Sequence, residues 1–265
     1  MIRRAAAAAT LLMCASVGAD AQSASAIGAQ VERVRTGTVR MTFAARDGVC
    51  GNGMSWYRTR GGSFSGTVIN GNWSGARDVE ATCERGPVRL VVVRKDGETT
   101  EMRTYVGGRW KVDTGSTDIG AVRAADAAAW LLQVAERAPA KPARSAIAAA
   151  TLADSTDAGS TLLRIAKDES RPNDVRSSAL NWLGDVVGDK VSSTLDSIAY
   201  EPGDREVRKQ AIFAMSRRPA EEAVPMLLKM AETLPDRELR KTAVFWLAQS
   251  KDPRAMRWVE QRLGR

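Results

Sequence analysis

The chain is 265 residues long, carries a formal charge of +8 and contains no histidine. Without imidazole, Ser-His-Asp and Cys-His catalysis and every metal site built on histidine are excluded. Residues 22–115 hold 14 Lys and Arg against 9 Asp and Glu, whereas residues 116–265 hold 23 against 21. A nucleic-acid binder concentrates cations on its recognition surface, and the near-neutral second half argues against such a partner.

Residues 1–21 read as a secretion signal. Met1-Ile2-Arg3-Arg4 is a cationic start, Ala5 to Val17 is an apolar run too short to span a bilayer, and Ala19-Asp20-Ala21 supplies the small-x-small cleavage pattern before Gln22. Leu11-Leu12-Met13-Cys14 mimics a lipoprotein box, but Met13 stands where a small residue is needed, so lipid anchoring is not expected. No later segment is apolar enough to cross a membrane. The expected location is therefore periplasmic or secreted. In that oxidising setting Cys50 and Cys83 are predicted to form a disulfide. Closing a loop of that length contributes about 3–4 kcal/mol on the chain-entropy model.

Residues 22–36 are rich in Ala and Ser and read as a flexible lead-in. Residues 37–115 have the texture of a small antiparallel β domain. Thr38–Phe43 alternates polar and apolar, Pro87–Arg94 contains Leu90-Val91-Val92-Val93, and Asp96-Gly97 makes a hairpin turn into Glu98–Val106. A last short strand is expected over Arg109–Val112. Asp47 to Gly53 reads as a tight turn beside the disulfide, since the carboxylates of a calcium loop are missing. Trp56, Tyr57, Trp73 and Trp110 are expected in the core of this domain. The alternative is a stacking surface for an envelope glycan or anionic polymer.

Asp113-Thr114-Gly115-Ser116 spells the aspartic-protease signature. That chemistry needs a second aspartate across a dyad, and no second copy exists, so the tetrapeptide reads as turn and cap. A capping helix is predicted over residues 116–138, with Ser116–Asp118 as its N-cap and Val122, Trp130, Leu131 and Val134 on its apolar side.

From residue 139 to 265 a repeat dominates. Arg144, Arg176, Arg208 and Arg240 stand 32 residues apart, and so do Leu163, Leu195, Leu227 and Val259. Each Arg from Arg176 on is followed by an Ala at the third position and apolar residues beyond it, a stripe on one helix face. Asp174, Glu206 and Glu238 precede those arginines by two residues, where an acid complements the helix dipole. We read Arg144, Asp174, Arg176, Glu206, Arg208, Glu238 and Arg240 as a structural ladder. Each Arg is within reach of a carboxylate or an orphan carbonyl of the neighbouring unit. Trp182 and Trp246, with Ala150 and Ala214 in phase, suggest large-to-small packing between units. Such units bury their apolar faces only by stacking, which predicts an α-solenoid of about four helical hairpins.

The run Asp174-Val175-Arg176-Ser177-Ser178-Ala179-Leu180-Asn181-Trp182-Leu183 resembles the short bacterial HEAT repeat, also called the phycobilisome-lyase-type HEAT-like repeat, over residues 139–265. Unit one departs from the pattern, with Ala143 before Arg144 and no preceding acid. The resemblance implies an α-solenoid used as a protein-binding scaffold, with no cofactor and no catalytic residue. The expected function is an exported non-catalytic scaffold for a protein or peptide. Arg164, Lys167, Tyr200, Lys229 and Arg257, on the second helices, are the candidate contacts. A lyase or hydrolase activity follows only by fold analogy and lacks a nucleophile constellation.

Overall fold

The computed structural model describes residues 23–53, 56–60, 63–67, 83–110, 115–154, 158–184 and 189–263. The expected secretion signal, Trp73, Asp113 and Thr114 lie outside the described residues, as do Lys111 and Val112 of the expected last strand. The first half holds a four-stranded sheet of order β6-β5-β1-β7, built from β1 (Gly37–Phe43), β5 (Val88–Lys95), β6 (Glu98–Val106) and β7 (Ser116–Ala121). A second, three-stranded sheet joins β2 (Val49–Gly51), β3 (Trp56–Arg60) and β4 (Ser63–Thr67). Alternation places Val39, Met41, Phe43, Val88, Leu90, Val92, Met102 and Val106 on the buried face of the larger sheet. Asp96 and Gly97 turn the β5–β6 hairpin with φ of 54° and 88°, the left-handed pair a type I′ turn demands. Cys50 and Cys83 are disulfide-bonded, and beside them Gly51 and Glu84 exchange backbone hydrogen bonds.

Four sequence expectations change here. The sheet is mixed rather than antiparallel, because β7 runs parallel to β1. Residues 116–121 are that strand and not the start of the capping helix. Gly120 has φ +78°, which breaks a helical run, and Asp118 pairs at 2.8 Å with Arg40 of β1. The helix starts later, as α2 (Ala124–Arg137). The lead-in is also ordered: α1 (Ala24–Arg33) is capped by Ser23 and buries Ile27 and Val31, spaced by one helical turn, where it packs on α2. Arg109 and Trp110 lie outside any strand.

From Ala124 on, nine helices follow among the described residues: α2, α3 (Ala140–Leu152), α4 (Gly159–Lys167), α5 (Asn173–Leu183), α6 (Asp189–Tyr200), α7 (Arg205–Ser216), α8 (Ala220–Thr233), α9 (Arg237–Gln249) and α10 (Pro253–Leu263). Helix α2 packs on α3, α4 on α5, α6 on α7 and α8 on α9, and α5 packs as extensively on α7. First helices α3, α5, α7 and α9 form one row, and α2, α4, α6, α8 and α10 form the other. Leu131 of α2 precedes Leu163 by the same 32 residues, so the capping helix occupies a repeat position. Gly184, at the end of α5, allows close approach: a Cβ there would lie 2.9 Å from the Ala214 carbonyl of α7. Apolar side chains from Ile27 to Ala255 make one continuous core. The sheet joins it by packing on α3. Arg46 N donates to the Leu152 carbonyl and Asp154 N to the Ala44 carbonyl, at 2.9 and 3.0 Å.

A helix leaves its last carbonyls unpaired, at the negative end of its dipole. In this stack an arginine takes them. Arg176 Nε donates to the Ala166 carbonyl near the end of α4 at 3.0 Å. Arg208 Nε donates to the Ala199 carbonyl of α6 at 3.0 Å. Arg240 Nη1 donates to the carbonyls of Leu234 and Pro235 just beyond α8. For α2 the donor is Arg171, whose Nη2 reaches the carbonyls of Ala135 and Ala138 at 3.1 and 2.6 Å. Of the two acceptors the sequence offered, these arginines use carbonyls. Glu206 and Glu238 pair instead with Lys209 and Lys241, each at 2.8 Å, and Asp174 pairs with Arg144 at 3.3 Å. Arg144 is thus the one ladder arginine on a carboxylate, and both partners are exposed. We expect Arg176→Met to cost about 1–3 kcal/mol, because it strands a carbonyl where the arginine is only 9% exposed. Arg144→Met should cost at most ~1 kcal/mol. Urea unfolding of the two variants decides the matter, and equal losses would remove the special role of the carbonyl caps.

Candidate functional site

The second-helix row carries the contact residues expected from sequence, and most of them are engaged with each other's helices. Arg164 of α4 pairs with Glu136 of α2 at 2.6 Å. Lys229 of α8 pairs with Asp196 of α6 at 2.9 Å and lies 5.0 Å from the centre of the Tyr200 ring. Its hydrogen bond to Asp196 holds the Lys229 ammonium above its ordinary pKa. The Tyr200 hydroxyl shares a hydrogen bond with Thr233. Further along, Glu232 accepts from Trp258 Nε1 at 3.0 Å and from Arg262. Lys167 and Arg257 are exposed. This row is laced from helix to helix by exposed ion pairs, each worth little individually.

The first-helix row is different between α7 and α9. A groove of about 590 Å³ opens there, lined at one end by Phe213, Phe245 and Trp246. The Phe213 and Trp246 rings lie 4.8 Å apart, and Phe245 meets Trp246 edge-on at 4.9 Å. At 53% exposure, Phe245 and, at 44%, Met256 are the exposed large hydrophobic residues among those described. The Arg217 guanidinium stacks 5.5 Å from the Phe213 ring and donates to Asn181 of α5. Burial lowers its pKa. The Glu206–Lys209 and Glu238–Lys241 pairs line the other end. Sequence reasoning missed this groove. The signal was present: Phe213 and Phe245 are themselves 32 residues apart, beside the Ala214 and Trp246 position. Trp182 is buried like Ala150 and Ala214, as large-to-small packing requires, while Trp246 is only half-buried and joins the groove.

Of the aromatic residues considered for a glycan or anionic polymer, Trp110 lies beside Arg40 and Arg89 of the larger sheet, while Trp56 and Tyr57 belong to β3 of the other sheet. These arginines are engaged. Arg89, 5% exposed, donates to the carbonyls of Arg109 and Gly53 at 2.8 and 2.7 Å. Arg40 pairs with Asp118, and both Arg40 and Arg89 lie over the Trp110 ring, at 5.4 and 5.0 Å. Arg103 pairs with Glu101. The side chains of Trp56 and Tyr57 lie outside what the structure describes. Among the described residues no group of three His, Cys, Asp or Glu side chains is placed to hold a metal ion. The Gly115-Ser116 half of the protease-like tetrapeptide opens β7.

One half-buried polar knot ties α6 to the start of α8 and the turn before it. Glu222 accepts from Ser192 Oγ at 2.6 Å and from Arg218 Nη2 at 2.9 Å, and the Arg218 side chain is 3% exposed. The Ser192 hydrogen bond, followed by Arg218, holds the Glu222 carboxyl below its usual range. A carboxylate with a depressed folded pKa stabilises above its unfolded value, about 4.3, and that contribution is lost as pH falls through the folded value. We expect Glu222→Gln to lower stability at neutral pH and to flatten the acid limb below about pH 4. Thermal melts of both proteins across that range measure it, and parallel curves would refute the assignment.

The HEAT repeats family model matches residues 195–265, the stretch from α6 to the last helix. No curated protein and no solved structure matches the chain. No described helix is long and apolar enough to cross a membrane. HEAT repeats serve in general as protein-interaction scaffolds, and the match supports reading this chain as a HEAT-repeat protein.

Proposed function

We propose that the protein is an exported, non-catalytic scaffold that holds a protein or peptide partner in the groove between α7 and α9. The supporting observation is the contiguous ring cluster of Phe213, Phe245 and Trp246, left open on a row whose neighbours are otherwise packed. Aromatic side chains gathered in a groove are the usual anchors of binding surfaces. The polar end of the groove offers both charges, which suits a peptide with polar residues flanking an apolar one. The second-helix cations contribute less to binding, because Arg164 and Lys229 already have carboxylate partners. Export is supported by the Cys50–Cys83 disulfide, a bond characteristic of oxidising compartments.

Two measurements test this. Cross-linking in envelope extract followed by capture should recover a partner with the unaltered chain and lose it with Phe245→Ala, while Arg164→Ala leaves recovery unchanged. Because Phe245 is exposed, that variant should melt within about 2 °C of the unaltered protein. Recovery that is indifferent to Phe245 would overturn the groove. Separately, the mature protein should begin at Gln22, and a chain in the cell that retains Met1 would overturn export.

A further inference from the structure

A second cleft lies where the α4/α5 hairpin meets the α6/α7 hairpin, and it encloses about 210 Å³. Lys167, Arg176 and Arg208 all line it. Arg176 is nine-tenths buried, and its single hydrogen bond among the described residues runs from Nε to the Ala166 carbonyl. Arg208 repeats the arrangement with the Ala199 carbonyl. Each carbonyl fixes the plane of a guanidinium through one nitrogen and leaves both Nη groups without a protein partner among the described residues. No described carboxylate comes within ion-pair distance of any of the three cations. The rest of the ladder differs in this respect: Arg144 pairs with Asp174, and Arg240 spends an Nη group, Nη1, on two carbonyls.

We propose that this cleft binds one carboxylate of the scaffold's peptide partner, with the Nη groups of Arg176 and Arg208 as donors and Lys167 as the rim cation. The proposal rests on the reading of the solenoid as a peptide-holding scaffold. Planar guanidinium groups match a carboxylate in shape and donor spacing. Glu169, Glu201 and Asp204 also line the cleft and balance its three cations. Asp204 is engaged as the N-cap of α7, and Glu201 accepts from Ser197. With the lining balanced in charge, the cleft has no surplus of cations to neutralise a dianion such as phosphate, whereas a single carboxylate needs only the local guanidinium donors. The volume holds one side-chain head and is below that of small-molecule sites. A glutamate or aspartate side chain, or a peptide C-terminus, supplies the required group.

The test is a titration of the full chain, followed through the arginine side-chain NMR signals. Three short peptides serve as probes: one with Glu and blocked ends, the same peptide with Gln, and the Gln peptide with a free C-terminus. Saturable shifts confined to Arg176 and Arg208 are expected, with millimolar affinity, from the Glu peptide or the free C-terminus. Which of the two binds tighter identifies the source of the carboxylate. Arg208→Lys should weaken binding about tenfold, since lysine keeps the charge but not the paired donors. Arg33→Lys, at an exposed site on α1, should leave it unchanged. If Arg208→Lys does not fold, Lys167→Ala at the exposed rim takes its place and should weaken binding severalfold. Equal shifts from the blocked Gln peptide, tighter binding of inorganic phosphate, or no loss in the variants would each overturn the proposal. A silent titration alongside intact partner capture at Phe245 would sink the carboxylate site alone. Failed capture with a positive titration would sink the groove alone.

Discussion

The stack depends on one requirement, that the carbonyl end of every second helix be satisfied where the next hairpin meets it. A buried helix end without partners carries the full desolvation penalty of its last carbonyls. Arg176, Arg208 and Arg240 answer that need from the first turn of the following first helix, so one side chain both finishes a helix and fixes its neighbour. The hydrogen bond is charge-assisted, and the cation sits at the negative end of a helix dipole, which favours the same placement twice over. An acid at the neighbouring position has a different task. Glu206 and Glu238 lie in first turns and hold a lysine one turn on, stabilising their own helices rather than the joint.

The start of the stack uses another solution, because the sheet and α1 stand where a preceding hairpin would. At the start, the sheet covers α3 and α1 covers α2, so each row has its own lid. The lid is continuous with the repeat core, from Ile27 through the sheet to Ala255. The cap of α2 likewise deviates. Arg144 points to Asp174, and Arg171 reaches back from the turn after α4 to the Ala135 and Ala138 carbonyls. The first unit could lose its acid and its branched residue because the sheet, rather than a preceding hairpin, presses on that side of α3.

How much of this was visible in the sequence follows from the range of each interaction. The helical hairpins were readable because their signal is periodic, and period survives ignorance of what touches what. The β5–β6 hairpin was readable because Asp96-Gly97 is a local instruction. Strand β7 was not, since what holds it is Asp118 against Arg40, a partner 78 residues away. Helix α1 was hidden by composition: an Ala- and Ser-rich stretch looks uncommitted until Ile27 and Val31 are seen to share a face with a capping Ser23. The groove was missed for a subtler reason. Phe213 and Phe245 obey the repeat, but a period places a residue on a helix face without saying whether that face is covered, and exposure is a property of the assembled row.

That difference between period and exposure bears on which row is proposed to bind a partner. Charges on the second-helix row stand at inter-helix distance and neutralise one another, from Glu136–Arg164 to Asp196–Lys229 to Glu232–Arg262. Such a surface fixes the spacing of helices and offers a ligand little that water does not. On the first-helix row the same positions hold Asn181, Phe213 and Phe245, and the rings gain nothing from solvent. Stability alone would favour a polar residue at Phe245, more than half of whose surface is open to water. The Phe245 ring meets Trp246, which in turn meets Phe213, and this open run of rings is the observation on which the proposed binding groove rests.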